Sequence, residues 1–194
     1  ELRVGPGGCP VEGAIAAWPW GAYLSDDPIR VKVADLIRIH PRSCITDAKV
    51  TGHYVNAMLA GLQATDAGYH EALLLDYEGN IAEGPGENFF MVRNGTIITP
   101  PLGTILAGIT RSSLLQIAKD LGYDVSEQSI SLPEALAADE CFFTGTAAEV
   151  TAIGSINDQP IRHSFGPVTK KLKEAFIKIV RGENAQYKKW LTYI

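Results

Sequence analysis

Lys49 stands among small and apolar neighbours, Asp47-Ala-Lys-Val-Thr-Gly-His-Tyr54, where a helical pattern begins. The positive end of a helix dipole disfavours a cation at such a position. An amine placed against that field suits a Schiff-base nucleophile. The same residue is equally an exposed lysine ahead of a helix. Tyr54 follows closely enough to reach the same cleft, and His53 lies beside it. Two carboxyl groups, Glu83 and Glu87, bracket the turn Glu83-Gly-Pro-Gly-Glu-Asn88, where they point either into a cleft or into water. Two further glycine-bearing turns are Ala107-Gly-Ile-Thr-Arg111 and Thr144-Gly-Thr-Ala-Ala-Glu149. Glycine lets a backbone approach a ligand closely, and the amides near Ile109 and Thr110 open a helix, where anions bind. Each turn taken alone is also an ordinary turn that binds nothing.

Other chemistries lack their motifs. The sequence contains no G-x-G-x-x-G opening a helix after a strand and no G-x-x-x-x-G-K-[ST]. It contains no G-x-S-x-G, which weakens a serine hydrolase reading. Cys9, Cys44 and Cys141 are scattered, odd in number and without C-x-x-C spacing. They read as free thiols of a reducing cytosol, and no metal site is expected.

The elements that must position these residues follow from apolar periodicity. Val11 to Trp18 is strand-like, and a new strand-like run starts at Val31 and reaches about Ile39. Residues 49–67 read as a helix, with Val55, Met58, Leu59 and Leu62 on one face and Gly68 at its end. Short strands are expected within 71–76, 81–83 and 88–93, and Asn94-Gly95 signals a hairpin that returns through 96–99. A helix capped by Thr110 carries Leu114, Leu115, Ala118 and Leu121 and closes at Gly122. Strands at 123–130, 141–144 and 150–156 follow, with a short helix opened by Ser131-Leu-Pro-Glu134. The last helix spans 167–182, with Val168, Leu172, Ala175, Phe176 and Ile179 inward. Hairpins mixed with helices argue α+β rather than a doubly wound sheet.

The 194 residues are enough to bury a sizeable core, and 46% apolar with 20% charged residues argues against disorder. A net charge of −5 disfavours non-specific nucleic-acid binding. No apolar run reaches the roughly 18 residues that a membrane span needs. Residue 1 is Glu and the first Met is Met58, which sets the expectation of a piece of a longer chain.

The motifs also occur together in a fixed order: Trp18-Pro-Trp-Gly-Ala-Tyr23, Ala48-Lys49 with Gly52 and Tyr54, Glu83-Gly-Pro-Gly-Glu-Asn88, Gly108-Ile-Thr-Arg111 and Gly145-Thr-Ala-Ala-Glu149. In this order they resemble the branched-chain amino-acid aminotransferases of fold type IV. The resemblance implies pyridoxal 5'-phosphate as cofactor, in a cleft between a small first domain and a larger second one. It implies residues 1–18 as the tail of the small domain, 19–30 as the interdomain segment and 31–194 as the cofactor domain. By the same resemblance Lys49 forms the internal aldimine, Tyr54 bonds the phenolic oxygen and Glu83 faces the pyridine nitrogen. Leu106 packs on the ring, while Gly108, Ile109, Thr110 and Thr146 hold the phosphate. Thr146 and Ala147 hold the substrate carboxylate, with Trp20 and Tyr23 in the substrate pocket. Glu87 and Asn88 orient the site.

The implied reaction is transamination of Leu, Ile or Val with 2-oxoglutarate, by a cytoplasmic homodimer or larger homo-oligomer. A D-amino-acid aminotransferase and an aminodeoxychorismate lyase-like enzyme share the same lysine and glutamate. The Gly-Glu-Asn end of the 83–88 turn favours the branched-chain group. The family's phosphate-binding arginine falls upstream of residue 1, so the fragment alone is expected to be inactive.

Overall fold

The computed structural model describes residues 7–19, 21 and 23–193. Its regular structure starts at β1 (Ile29–Val33) and continues through α1 (Tyr54–Asp66), β2 (Glu71–Leu75), β3 (Ile81–Glu83), β4 (Asn88–Arg93) and β5 (Thr96–Thr99). Then come α2 (Ile109–Asp120), β6 (Val125–Glu127), α3 (Leu132–Leu136), β7 (Glu140–Gly145), β8 (Glu149–Ile156), β9 (Gln159–Pro160) and α4 (Pro167–Val180). The result is mixed α+β, as the hairpin pattern predicts.

The strands form one sheet in the order β3-β2-β1-β8-β7-β4-β5-β6, with β9 on β8. β3 also pairs with β4, through Glu83 opposite Asn88, so six of the strands close into a ring. β1 lies parallel to both β2 and β8, while β4, β7 and β8 run antiparallel to one another in turn. Side chains alternate across this wall because successive strand residues face opposite ways. Phe89 and Met91 of β4, with Cys141 and Phe143 of β7, join the inner core, closed by Ala135 of α3. Phe90, Val92 and Phe142 face outward and meet Leu114 and Ile117 of α2 and Leu172, Phe176 and Ile179 of α4. The rings of Phe90 and Phe142 stack at 5.1 Å between centroids.

α4 is fixed at its start by a side chain from the wall. The buried Glu140 carboxylate accepts from the Val168 and Thr169 amides and from Thr169 Oγ1, at 3.1, 2.7 and 2.6 Å. These satisfy donors that a helix start leaves unpaired and place negative charge at its positive end.

Several sequence expectations change. Within 11–18 the described backbone has no regular secondary structure and its residues are exposed, so this run is not a strand. Without a covered face, an apolar run has nothing to hold it extended in a sheet. The strand begun at Val31 instead starts at Ile29 and ends at Val33, and only Val125–Glu127 of 123–130 pairs as a strand. The helix expected from residue 49 starts at Tyr54, after a single 3-10 turn at Thr51–His53. β-branched Val50 and Thr51, with Gly52, favour helix poorly. Gly108, not Thr110, is the N-cap of α2. The face of α1 that packs on β2 is the small one, Ala60 and Ala64 against Ala72 and Leu74. Val55, Met58, Leu59 and Leu62 point outward and are about half exposed.

Candidate active site

One rim of the closed sheet gathers three connections: the 84–87 turn between β3 and β4, the 100–108 loop before α2, and the 145–148 turn between β7 and β8. With the segment leading into α1 they enclose a cavity of about 240 Å³. Lys49, Tyr54, Glu83, Leu106, Gly108, Ile109, Thr110 and Thr146 all line it. The sequence-predicted residues are therefore brought together although they span nearly a hundred positions.

The long connection from β1 to α1 carries Lys49 and is tied at several points. The Arg38 amide donates to Leu75 O at 2.7 Å, Asn56 Nδ2 to Ile37 O at 2.9 Å, and the buried Thr46 hydroxyl to Gly103 O at 2.8 Å. The last bond joins the lysine segment to the loop before α2. That loop is held in turn by Arg111, buried on α2, which donates to Pro100 O at 2.8 Å and to Glu127 at 2.6 Å. Lys49 itself is exposed at the cavity wall and makes no hydrogen bond among the described residues.

Glu83 is buried at the end of β3, which settles that it faces inward and not solvent. Its carboxylate accepts from Arg38 Nε at 2.6 Å, from Asn88 Nδ2 at 2.9 Å, and from the Leu106 amide, shared between both oxygens at 3.2 and 3.1 Å. Burial pushes this carboxyl up from its ordinary value, and the Arg38 guanidinium and the Leu106 amide pull it down. All three partners can only donate, so the arrangement suits the anion: a proton on either oxygen would displace one of them. A carboxylate offers about four acceptor positions, and the shared Leu106 amide brings the contacts on its two oxygens to four.

Asn88 completes this cluster by bonding Glu83 and Leu106 O with one amide nitrogen. Its Oδ1 lies 2.1 Å from where a Cβ on Gly108 would stand, so glycine is required there by space. At Gly145 a Cβ would approach Gly86 O to 3.1 Å, which lets two of the rim turns meet backbone to backbone.

Glu87 is buried as well, with one donor, the Gly86 amide at 3.1 Å to Oε2. Its Oε1 and the hydroxyl of Thr144, also at the cavity, are buried without a partner. Burial first, and then the neighbouring Glu71 charge, push the Glu87 carboxyl up to about 8.

Tyr23 and Ala147 line a neighbouring depression that shares the 145–148 turn, with Asp26, Lys173 and Arg181. The Tyr23 hydroxyl nonetheless reaches the 84–87 turn, 3.9 Å from where a Cβ on Gly86 would stand. Trp20 lies outside the described residues. Arg38 and Thr144 were not legible as site residues. Arg38 meets its partner across 45 positions of sequence, and no local pattern marks the pair.

The residues present fit pyridoxal phosphate in three respects. Glu83 brings a buried carboxyl group to the cavity wall, the kind of partner that a protonated ring nitrogen needs. The first turn of α2 presents unpaired amides beside Thr110, as a phosphate needs. The Thr144 and Glu87 oxygens are buried polar atoms left for a ligand or water.

Residues 10–156 match the family described as amino-transferase class IV. The chain is 41% identical to a branched-chain-amino-acid aminotransferase of Pseudomonas aeruginosa over 192 residues, covering 96% of this chain and 62% of that protein. A branched-chain aminotransferase from Thermoproteus uzoniensis, crystallised with norvaline, superposes with a TM-score of 0.89 at 44% identity, over 91% of this chain and 59% of that one. One from Thermobaculum terrenum, solved in its PLP form, gives 0.86 at 36% identity, over 90% and 58%. The chain thus spans about three fifths of the length of the relatives it matches.

Proposed function

The chain belongs to the class IV amino-transferase family, and from that premise we propose that the complete protein moves the amino group of branched-chain L-amino acids to 2-oxoglutarate, using pyridoxal 5'-phosphate. The observation that carries the reading is the rim cavity, which sets the Lys49 amine, the buried Glu83 carboxylate and the start of α2 around one space. The names of the relatives support the substrate class. When bound, the cofactor supplies an electron-withdrawing ring that stabilises negative charge at the substrate Cα.

The chain's own residues do the rest. Lys49 would take the proton from the substrate Cα and deliver one to the cofactor's C4′. Glu83, kept anionic by its three donors, holds the ring-nitrogen end, and Tyr54 meets the phenolic oxygen. The amides of Ile109 and Thr110, with the Thr110 and Thr146 hydroxyls, hold the phosphate, which Gly108 allows to come close. Leu106 covers the ring face, while Thr146 and Ala147 receive the substrate carboxylate. Trp20 and Tyr23 border the side-chain pocket. In this reading residues 1–18 close a small domain, 19–30 connect it and 31–194 form the cofactor domain. A second copy covers the outward apolar face of α1, and the protein works in the cytoplasm.

Borohydride reduction with pyridoxal phosphate, followed by peptide mapping, is expected to label Lys49. Label on Lys119 or Lys170 instead would overturn the assignment. A coupled assay should show turnover with L-leucine and not with D-alanine.

A further inference from the structure

Glu83 and Glu87 lie on one turn, both buried, yet their surroundings are opposite in kind. Glu83 receives three donors. Glu87 receives one, and its Oε1 has none. Among the described residues, the charged and titratable groups that act on or with Glu87 are Glu71 from β2, Glu83 from β3 and Tyr23 from the preceding segment, while Tyr54 of α1 and Lys49 line the same cavity. Glu71 is itself buried and, among the described residues, accepts only from the adjoining Ala72 amide, at 2.8 Å. The two cations at the cavity do not offset this group: Arg38 is bound to Glu83, and Lys49 makes no hydrogen bond to Glu87. Neighbouring buried carboxyls with no cation between them cannot both be ionised at modest cost.

We propose that Glu87 stands in the cavity wall as the neutral carboxylic acid, and that this uncharged surface is a specificity-determining contact for an apolar substrate side chain. The proposal rests on the reading of the substrate as a branched-chain amino acid. It separates two glutamates four positions apart by role: Glu83 serves as an anion towards the cofactor, and Glu87 as a neutral wall towards the substrate. The proton stays on Glu87 at neutral pH because its carboxyl is pushed up to about 8, and it leaves above that.

Two measurements on the complete holoenzyme test this. The infrared difference between wild type and E87Q at pH 7, taken without substrate, should contain a protonated-carboxyl C=O band that fades as the pH passes about 8. An ionised-carboxylate difference at pH 7 would overturn the proposal, and would point to a cation supplied from elsewhere in the assembled protein. In wild type the KM for L-leucine should rise about fivefold between roughly pH 8 and pH 9 as an anion forms in the wall. In E87Q, and in E87M as a second variant of similar length, that rise should be reduced to what the substrate's own amine causes. The same rise in wild type and both variants would overturn the specificity role. Failure of L-leucine as a substrate would fault the functional reading, and the infrared result would still decide the state of Glu87.

Discussion

Arg38 and Glu83 meet at 2.6 Å with their side chains only 12% and 6% exposed. A buried pair of this kind adds little over a well-packed apolar pair, but removing one partner strands the other. Arg38→Gln should therefore destabilise the chain by about 3–5 kcal/mol, read as a lower denaturant midpoint at unchanged slope. A shift below about 1 kcal/mol would mean that water or another cation reaches Glu83. Glu87 makes a prediction of opposite sign with pH. Its carboxyl rises from an ordinary 4.5 to about 8 on folding, so between those values the folded chain holds a proton that the unfolded chain has lost. Stability from this group is complete below about 4.5 and is lost as the pH climbs through about 8. Wild type should lose on the order of 3 kcal/mol more than Glu87→Gln between about pH 5.5 and pH 8.5. Parallel pH curves for the two proteins would contradict this.

The loop before α2 shows how one glycine can be worth more than a hydroxyl. Thr110→Val removes one hydroxyl and leaves the amides, so affinity for pyridoxal phosphate should fall by about one to two tenfold steps. Gly108→Val should cost more, because its Cβ would stand 2.1 Å from Asn88 Oδ1, and Asn88 is already clamped to Glu83 and Leu106. An absorbance titration that ranks the two variants the other way would place the phosphate elsewhere. Most of these elements were legible in the sequence. Asn94-Gly95 adopts the left-handed angles of a tight hairpin, with φ of 51° and 80°, and Ser131 opens the expected short helix, where the structure adds a capping box with Glu134. Leu172, Phe176 and Ile179 are inward as their spacing predicts. The failures share a cause, since local pattern says nothing of what lies opposite. Residues 11–18 are apolar enough for a strand but are uncovered, and the larger apolar face of α1 is turned away from the sheet because the alanine face lets the helix sit closer. Two of the three donors to Glu83, Arg38 and the Leu106 amide, come from outside its own turn, so its hydrogen bonding was not readable from that turn.

At the scale of the molecule, the outward face of α1 sets a test of assembly. Val55, Met58, Leu59 and Leu62 are each about half exposed along one stripe, more apolar surface than a helix normally leaves in water. On the proposal that a second copy covers this stripe, Leu59→Glu in the complete protein should sediment as a monomer where wild type sediments as a homo-oligomer, and should keep the far-ultraviolet helix signal. An unchanged sedimentation coefficient would assign the stripe to another part of the same chain. The closed sheet carries a kinetic consequence as well. Its seam joins Ile29 on β1 to Ile153 on β8, strands far apart in the sequence. Such a contact must meet its loop-closure entropy before any of its neighbours repay it, so high contact order and slow folding are built into the ring. During synthesis β1 has both of its permanent neighbours only after β8 has left the ribosome. Until then its open edge presents unpaired N–H and C=O groups to which another strand can pair.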